Sequence, residues 1–208
     1  MQAMVTDRMI AHTVGVEDLT VIRNLETAFE EETKTSSAYK AYATRADEEG
    51  FPGLASLFRA TALAEQIHAG NHARVLRHMG GSPGHMGASR GIDAPKLRIE
   101  GTLDNLKTAR VDQKFEVDYL YPAFLTTAVP LFDSTAIRSF HWALEADKSH
   151  VQLYNDVLAR VQGGGSPGWE FEKHAFFVCG LCGFAAEYPE NENCPGCNYL
   201  WEKFEAVM

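Results

Sequence analysis

Two short motifs carry the first chemical signal. Glu65-x-x-His68 and Asp147-x-x-His150 each place a carboxylate and an imidazole three residues apart. On a helix that spacing puts both side chains on one face, where they can reach a single cation. One such pair is common on solvated helix faces. Two copies on separate segments, with Glu32 and Glu116 at matching positions on two others, point to a dinuclear metal centre. Carboxylates bridge hard cations, imidazole suits ferrous iron, and the absence of thiolate leaves oxygen chemistry open.

The second constellation holds every cysteine of the chain. Cys179-x-x-Cys182 and Cys194-x-x-Cys197 are separated by eleven residues, and two such knuckles arrange four sulfurs tetrahedrally around one ion. Gly183 and the Pro195-Gly196 pair permit the tight turns that such loops need. Tetrahedral sulfur suits both iron and a structural zinc, so the spacing leaves the metal open. A disulfide scaffold would spread its bridges along the chain rather than confine them to its last thirty residues or so.

These residues need long helices to position them. Breaker-poor segments run over 18–49 and 53–79, then over 102–129 after a Gly/Pro-containing connection, and from Asp133 or Ser134 to about 161. Pro122 predicts a kink in the third. Stepping three and four residues along each segment gives apolar stripes interrupted midway by polar groups: Glu32 and Ser36; Thr61, Glu65, His68 and His72; Gln113 and Glu116; Asp147 and His150. An unpaired carboxylate in a core is costly, and a shared metal centre supplies the compensating charge. His72 shares the face but has no counterpart, and reads as a supporting or core residue. The expected fold is mainly α, a four-helix bundle over 1–162. A Gly-rich linker over 163–170 and a small β domain with the four cysteines over 171–208 complete it.

The chain also echoes itself. Asn24-Leu25-x-x-Ala28 returns as Asn105-Leu106-x-x-Ala109, an offset of 105 − 24 = 81, which moves Glu32 onto Gln113. Glu65 and His68 shifted by 82 fall on Asp147 and His150. Two similar helix hairpins related by a pseudo-twofold would give the metal pair near-symmetric halves.

Asn24-Leu25-x-x-Ala28-Phe29-x-x-Glu32, Glu49-Gly50, Glu65-x-x-His68, Glu116, Tyr121-Pro122, Asp147-x-x-His150 and the cysteine tail together resemble rubrerythrin, over nearly the whole chain from about position 20. The resemblance implies a ferritin-like di-iron four-helix bundle joined to a small rubredoxin-like β domain, and reduction of hydrogen peroxide to water with electrons relayed through the rubredoxin iron. It implies Glu32, Glu65, His68, Glu116, Asp147 and His150 as di-iron ligands, and Cys179, Cys182, Cys194 and Cys197 as ligands of one further iron. It also implies an upstream electron-donating reductase and a homodimer. Tyr39, on the Glu32 stripe, is expected to hydrogen-bond a carboxylate or the peroxide, or else to serve as a core aromatic. Two positions depart from the family pattern: Gln113 stands where the family has a Glu, and Asp147 replaces a longer Glu. Gln113 is thus at most a weak ligand, since an amide cannot neutralise a cation. A ferritin-like ferroxidase, and a non-catalytic module with a zinc ribbon, are the alternatives.

Composition narrows the setting. Nineteen Lys and Arg against 28 Asp and Glu give a net charge of −9, with no basic run. That disfavours nucleic acid and anionic membranes as partners. No apolar stretch approaches the ~18 residues of a membrane span, and a cytoplasmic location is expected.

Overall fold

The computed structural model describes residues 16–83, 98–131, 134–164, 168–188 and 192–208. Most of the 80–101 connection, the centre of the glycine linker, Asp133, His12 and His85 lie outside them. The described helices are α1 (Val16–Glu48), α2 (Pro52–His78), α3 (Thr102–Phe115), α4 (Tyr121–Ala128) and α5 (Ser134–Ala159). Three short strands follow: β1 (Phe176–Cys179), β2 (Ala185–Ala186) and β3 (Phe204–Val207), in the antiparallel order β2-β1-β3. This is a mainly helical bundle with a small antiparallel sheet at its C-terminal end, as the periodicity predicts.

The expected kink at Pro122 takes a specific form. Between α3 and α4, Glu116–Leu120 form one π-helical turn, closed by the Tyr121 amide donating to the Glu116 carbonyl. Proline offers no amide proton and its ring collides with the carbonyl four residues back, so a wider turn just before it relieves the clash. The turn aims Glu116 inward, where it is buried, while Phe115 and Tyr119 remain exposed.

The Asn-Leu echo has a structural role in each half. Leu25 and Leu106 are fully buried. Asn24 donates to the Thr127 hydroxyl at 2.7 Å, tying α1 to α4. Asn105 folds back on the Glu100 backbone, accepting from its amide and donating to its carbonyl, both at 2.9 Å. Glu49, the last acid before the first hairpin turn, accepts from the Thr102 amide at 2.8 Å and so caps an orphan donor at the start of α3.

Apolar side chains form two layers. One contains Tyr39, Phe58, Leu106 and Tyr154, the other Leu25, Leu76, Tyr121 and Phe140. Both are built from all of the long helical segments, and the polar stripe residues lie between them.

The sheet module docks against the bundle through backbone as much as through side chains. Asn71 of α2 donates to the Leu181 carbonyl at 2.8 Å, and Ser149 of α5 accepts from the Ala185 amide at 3.1 Å. Arg160 pairs with both carboxylate oxygens of Glu187. At Gly53, near the start of α2, an added Cβ would lie 2.9 Å from the carbonyl oxygens of Trp169 and Glu172. Backbone oxygens cannot yield as a flexible side chain can. Gly53→Ala is therefore expected to loosen the segment over 168–175 from α2, seen as faster limited proteolysis between bundle and module with the bundle's helical circular dichroism unchanged.

Candidate metal centres

The interrupted stripes converge. Glu32, Glu65, His68, Gln113, Glu116, Asp147 and His150 are all buried, with no more than 5 % of any exposed. Ligand atoms of Glu32, Glu65 and His68 form one group within 4.8 Å of each other; those of Glu65, Asp147 and His150 form a second. Glu65 belongs to both, which is the placement of a bridging carboxylate. The two imidazoles face each other with centroids 5.8 Å apart and planes 22° from parallel.

Hydrogen bonding shows which atoms are left for a cation. His68 Nε2 donates to the Cys182 carbonyl at 2.9 Å. Its Nδ1 then points at Glu65, Glu32 and Asp147, at 3.1, 3.4 and 3.6 Å, without a hydrogen-bond partner. Glu32 Oε2, Glu65 Oε2 and both Asp147 carboxylate oxygens are likewise buried and unpartnered. Buried polar atoms are rarely left this way in a folded protein. Five such atoms, on four side chains of the two groups, fit a site for hard divalent cations.

Gln113 occupies the centre. Its amide donates to Glu116 Oε2 at 2.6 Å and to Glu65 Oε1 at 3.0 Å, while its carbonyl accepts from His150 Nδ1 at 2.8 Å. His150 Nε2 donates to the Gly183 carbonyl at 3.1 Å. Both ring nitrogens of His150 thus face acceptors, and Asp147 and Glu65 outweigh burial to raise its pKa to about 9. Burial, followed by repulsion from neighbouring acids, raises Glu32 and Glu116, and burial raises Asp147. Burial also opposes the charged form of Glu65, but hydrogen bonds from His150 and His68 overcome it and lower its pKa.

Tyr39, expected at a carboxylate, at the peroxide or as a core aromatic, donates to the Ala109 carbonyl at 3.3 Å within the aromatic layer. It does line a cleft of about 730 Å³ together with Thr35, Asp112, Phe115 and Glu116. The tyrosine that reaches a ligand candidate is Tyr121, whose hydroxyl donates to Glu32 Oε1. Periodicity could not single it out, because it lies beyond the π turn that shifts the stripe.

The four sulfurs meet in the same manner as the carboxylates. The cysteines are unbridged, and their sulfurs lie within 4.8 Å of one another, with Cys179 to Cys197 at 3.6 Å and Cys182 to Cys194 at 3.5 Å. A tetrahedron with bonds of ~2.3 Å has edges of about 3.8 Å, so the cage has the size of a single iron or zinc ion. The two knuckles share one backbone plan. The amides of Gly183 and Asn198 donate to the carbonyls of Cys179 and Cys194, at 2.9 and 2.8 Å, and both residues have positive φ, +83° and +61°. Glycine and asparagine tolerate that conformation best.

A helical bundle with a buried carboxylate–histidine cluster, followed by a four-cysteine sheet, defines the class of ferritin-like proteins that carry a cysteine module. The rubrerythrin family model matches residues 23–158, and the chain belongs to that family. It is 31 % identical over 182 residues to rubrerythrin-2 of Clostridium acetobutylicum, covering 88 % of this chain and 94 % of that protein. It is 30 % identical to nigerythrin of Nitratidesulfovibrio vulgaris, covering 85 % and 81 %. A mixed-valence structure of nigerythrin superposes with a TM-score of 0.74 at 27 % identity, covering 98 % of this chain and 91 % of that one. Another nigerythrin structure is described as fully reduced and all ferrous. Bacterioferritin of Desulfovibrio desulfuricans, at 18 % identity and a TM-score of 0.65, shares the bundle fold. Family membership implies iron, and both donor sets fit it.

The raised pKa of His150 sets a testable sign. A histidine whose folded-state pKa rises from 6.5 to about 9 stabilises the metal-free fold fully below 6.5, and loses that contribution as pH climbs through 9. A cation taking the Nδ1 position must displace the proton. Metal uptake by the bundle is expected to release protons at neutral pH and to release fewer above about pH 9, measured with a pH indicator in weakly buffered solution.

Proposed function

We propose that the chain is a cytoplasmic non-haem di-iron peroxidase. It reduces hydrogen peroxide to water with electrons passed from a reductase through a rubredoxin-type iron. The division into a bundle over 1–162, a linker over 163–170 and a cysteine domain over 171–208, and assembly as a homodimer, belong to the same reading. Among the described residues no helix is long and apolar enough to cross a membrane, which is compatible with it.

One observation carries the proposal. The backs of both histidines, His68 and His150, bond to consecutive carbonyls of the first cysteine knuckle, at Cys182 and Gly183. Each dinuclear half therefore connects to the sulfur cage through one imidazole and one peptide unit. An electron donor to the bundle needs such a connection.

Glu32, Glu65, His68, Glu116, Asp147 and His150 would hold two irons in the bundle, with Gln113 as a neutral neighbour or weak ligand. The cysteines would hold the third iron. When bound, the iron pair supplies the two electrons that cleave the peroxide O–O bond. The chain's own residues do the rest. The cleft lined by Tyr39 and Glu116 admits a small polar molecule to one side of the site. The two aromatic layers exclude bulk water, which strengthens every charge interaction between them. The histidine–carbonyl bonds fix ring orientation and leave each Nδ1 facing inward. Two protons and two electrons per peroxide yield two waters.

Rapid mixing of the anaerobically reduced protein tests this. Peroxide is expected to reoxidise it faster than dioxygen does, with two irons in the bundle and one in the cysteine site. Faster oxidation by dioxygen, with more irons accumulating per bundle, would favour the ferroxidase alternative. A colourless protein holding one zinc and no iron would sink both. Glu65→Ala and His68→Ala should empty the bundle and keep the visible absorption of the cysteine site.

Gly183→Ala probes the connection itself. An added Cβ would lie 2.4 Å from His68 Nε2 and 3.1 Å from the Ala64 carbonyl, at a φ unfavourable to alanine. The variant is expected to keep both metal complements and to slow reoxidation of the cysteine iron by peroxide at least tenfold.

A further inference from the structure

Two clefts flank the line where the cysteine module meets the bundle, and they differ in charge. The cleft of about 510 Å³ beside Phe184 and Trp201 carries its cations in pairs, Lys148 with Glu145 and Arg160 with Glu187. The cleft of about 330 Å³ between α2, α5 and the first knuckle is lined by Arg74, His78 and Arg138, and among the described residues no carboxylate lines it. Arg74 donates to the side-chain oxygen of Asn71 at 3.0 Å, and Arg138 lies over the Trp142 ring, 5.6 Å from its centroid. Neither guanidinium has an acidic partner among the described residues. In a chain with a net charge of −9, such a cleft is a local reversal of sign. Unopposed cations on adjoining helices repel each other, so the fold alone does not account for them.

The wall of this cleft is also the wall of the sulfur cage. Trp142 and Leu181 line the cleft, and both pack against the cluster of Cys179, Cys182 and Cys194. Those three cysteines are no more than 2 % exposed, so a partner reaches them through a neighbour rather than directly. One amide ties the cationic rim to the knuckle. Asn71 donates to the Leu181 carbonyl at 2.8 Å while its oxygen accepts from Arg74. A partner seated in the cleft is therefore one side chain, an indole or a leucine, away from cage sulfur.

We infer that this cleft is the port by which electrons enter the protein, and that its partner is an acidic one-electron donor protein presenting carboxylates to Arg74 and Arg138. This rests on the reading of the cysteine site as an electron relay, and gives the surface chemistry of the donor that the relay requires. Each encounter oxidises the donor by one electron and reduces the ferric ion held by the cysteines to ferrous, with no atom transferred. Two encounters supply the two electrons that one peroxide consumes together with two protons. A small apolar contact beside unlike charges suits a complex that forms fast and separates fast.

Docking can be read without turnover by NMR of the isotopically labelled, zinc-loaded full-length chain. The probe is an acidic two-iron ferredoxin, whose paramagnetic cluster broadens nearby signals. The indole N–H of Trp142 is expected to broaden more than those of Trp169 and Trp201, and to sharpen again in the double variant Arg74→Glu, Arg138→Glu. Broadening centred on Trp201, or none at Trp142, would overturn the port. In the iron-loaded chain, reduction of the cysteine site by reduced ferredoxin is expected to slow about tenfold in that variant at low salt, with the gap closing at high salt. Hexaammineruthenium(II), a small cationic reductant, should reduce the variant as fast as the wild type or faster, which shows the site intact. Arg74→Gln and Arg138→Gln, which remove charge without reversing it, report if the double variant fails to fold, each with a smaller loss of the same sign. Equal ferredoxin rates in the wild type and every variant would refute the port and leave the relay standing. A cysteine site that holds zinc, or that neither reductant reduces, would overturn the relay and the port with it.

Discussion

Carboxylates in an apolar core govern this structure. Glu32, Glu65, Glu116 and Asp147 lie where burial opposes their charged forms, between two layers of aromatic and aliphatic side chains. An unpaired buried charge costs several kcal/mol even after relaxation, or about that for each group. The chain offsets it locally with histidines, one glutamine and a tyrosine. The remaining unpartnered atoms lie on side chains that could hold a cation to complete the balance. The helices are long because each must carry apolar turns on both sides of its polar one.

That arrangement explains the placement of the C-terminal module. Imidazoles that turn Nδ1 toward the carboxylates present Nε2–H outward, and an outward donor at a buried surface needs an acceptor. The carbonyls of Cys182 and Gly183 provide it. A single requirement, satisfying the far side of each histidine, therefore brings the sulfur cage to the bundle. Gly53 and Gly183 lie where the two parts approach most closely, at points without room for a side chain.

Much of this was legible in the sequence. The 3.6-residue period with polar interruptions located all four carboxylates, both histidines and Gln113, and every one of them is buried at the centre. The paired Cys-x-x-Cys spacing located the cage. What escaped has a physical reason in each case. Pro122 signals a break, but a π turn and an ordinary kink carry the same sequence sign, so the inward position of Tyr121 was hidden. For Tyr39 the stripe left a site role and a core role open, and its hydroxyl finds a backbone carbonyl within the core. Ser139 and His72 look like unremarkable core polar residues until their mutual hydrogen bond, between α5 and α2, is known. The bonds between histidines and knuckle involve backbone oxygens, which have no sequence signature at all.

That last property bears on how such a protein changes over time. The acceptors joining the module to the bundle belong to the main chain, so the Leu181 carbonyl persists whatever side chain occupies position 181. Substitution can drift across much of the knuckle's surface without severing the hydrogen bonds between module and bundle. Besides the cysteines, the residue at 183, held to glycine by its φ and by the ring beside it, would resist replacement.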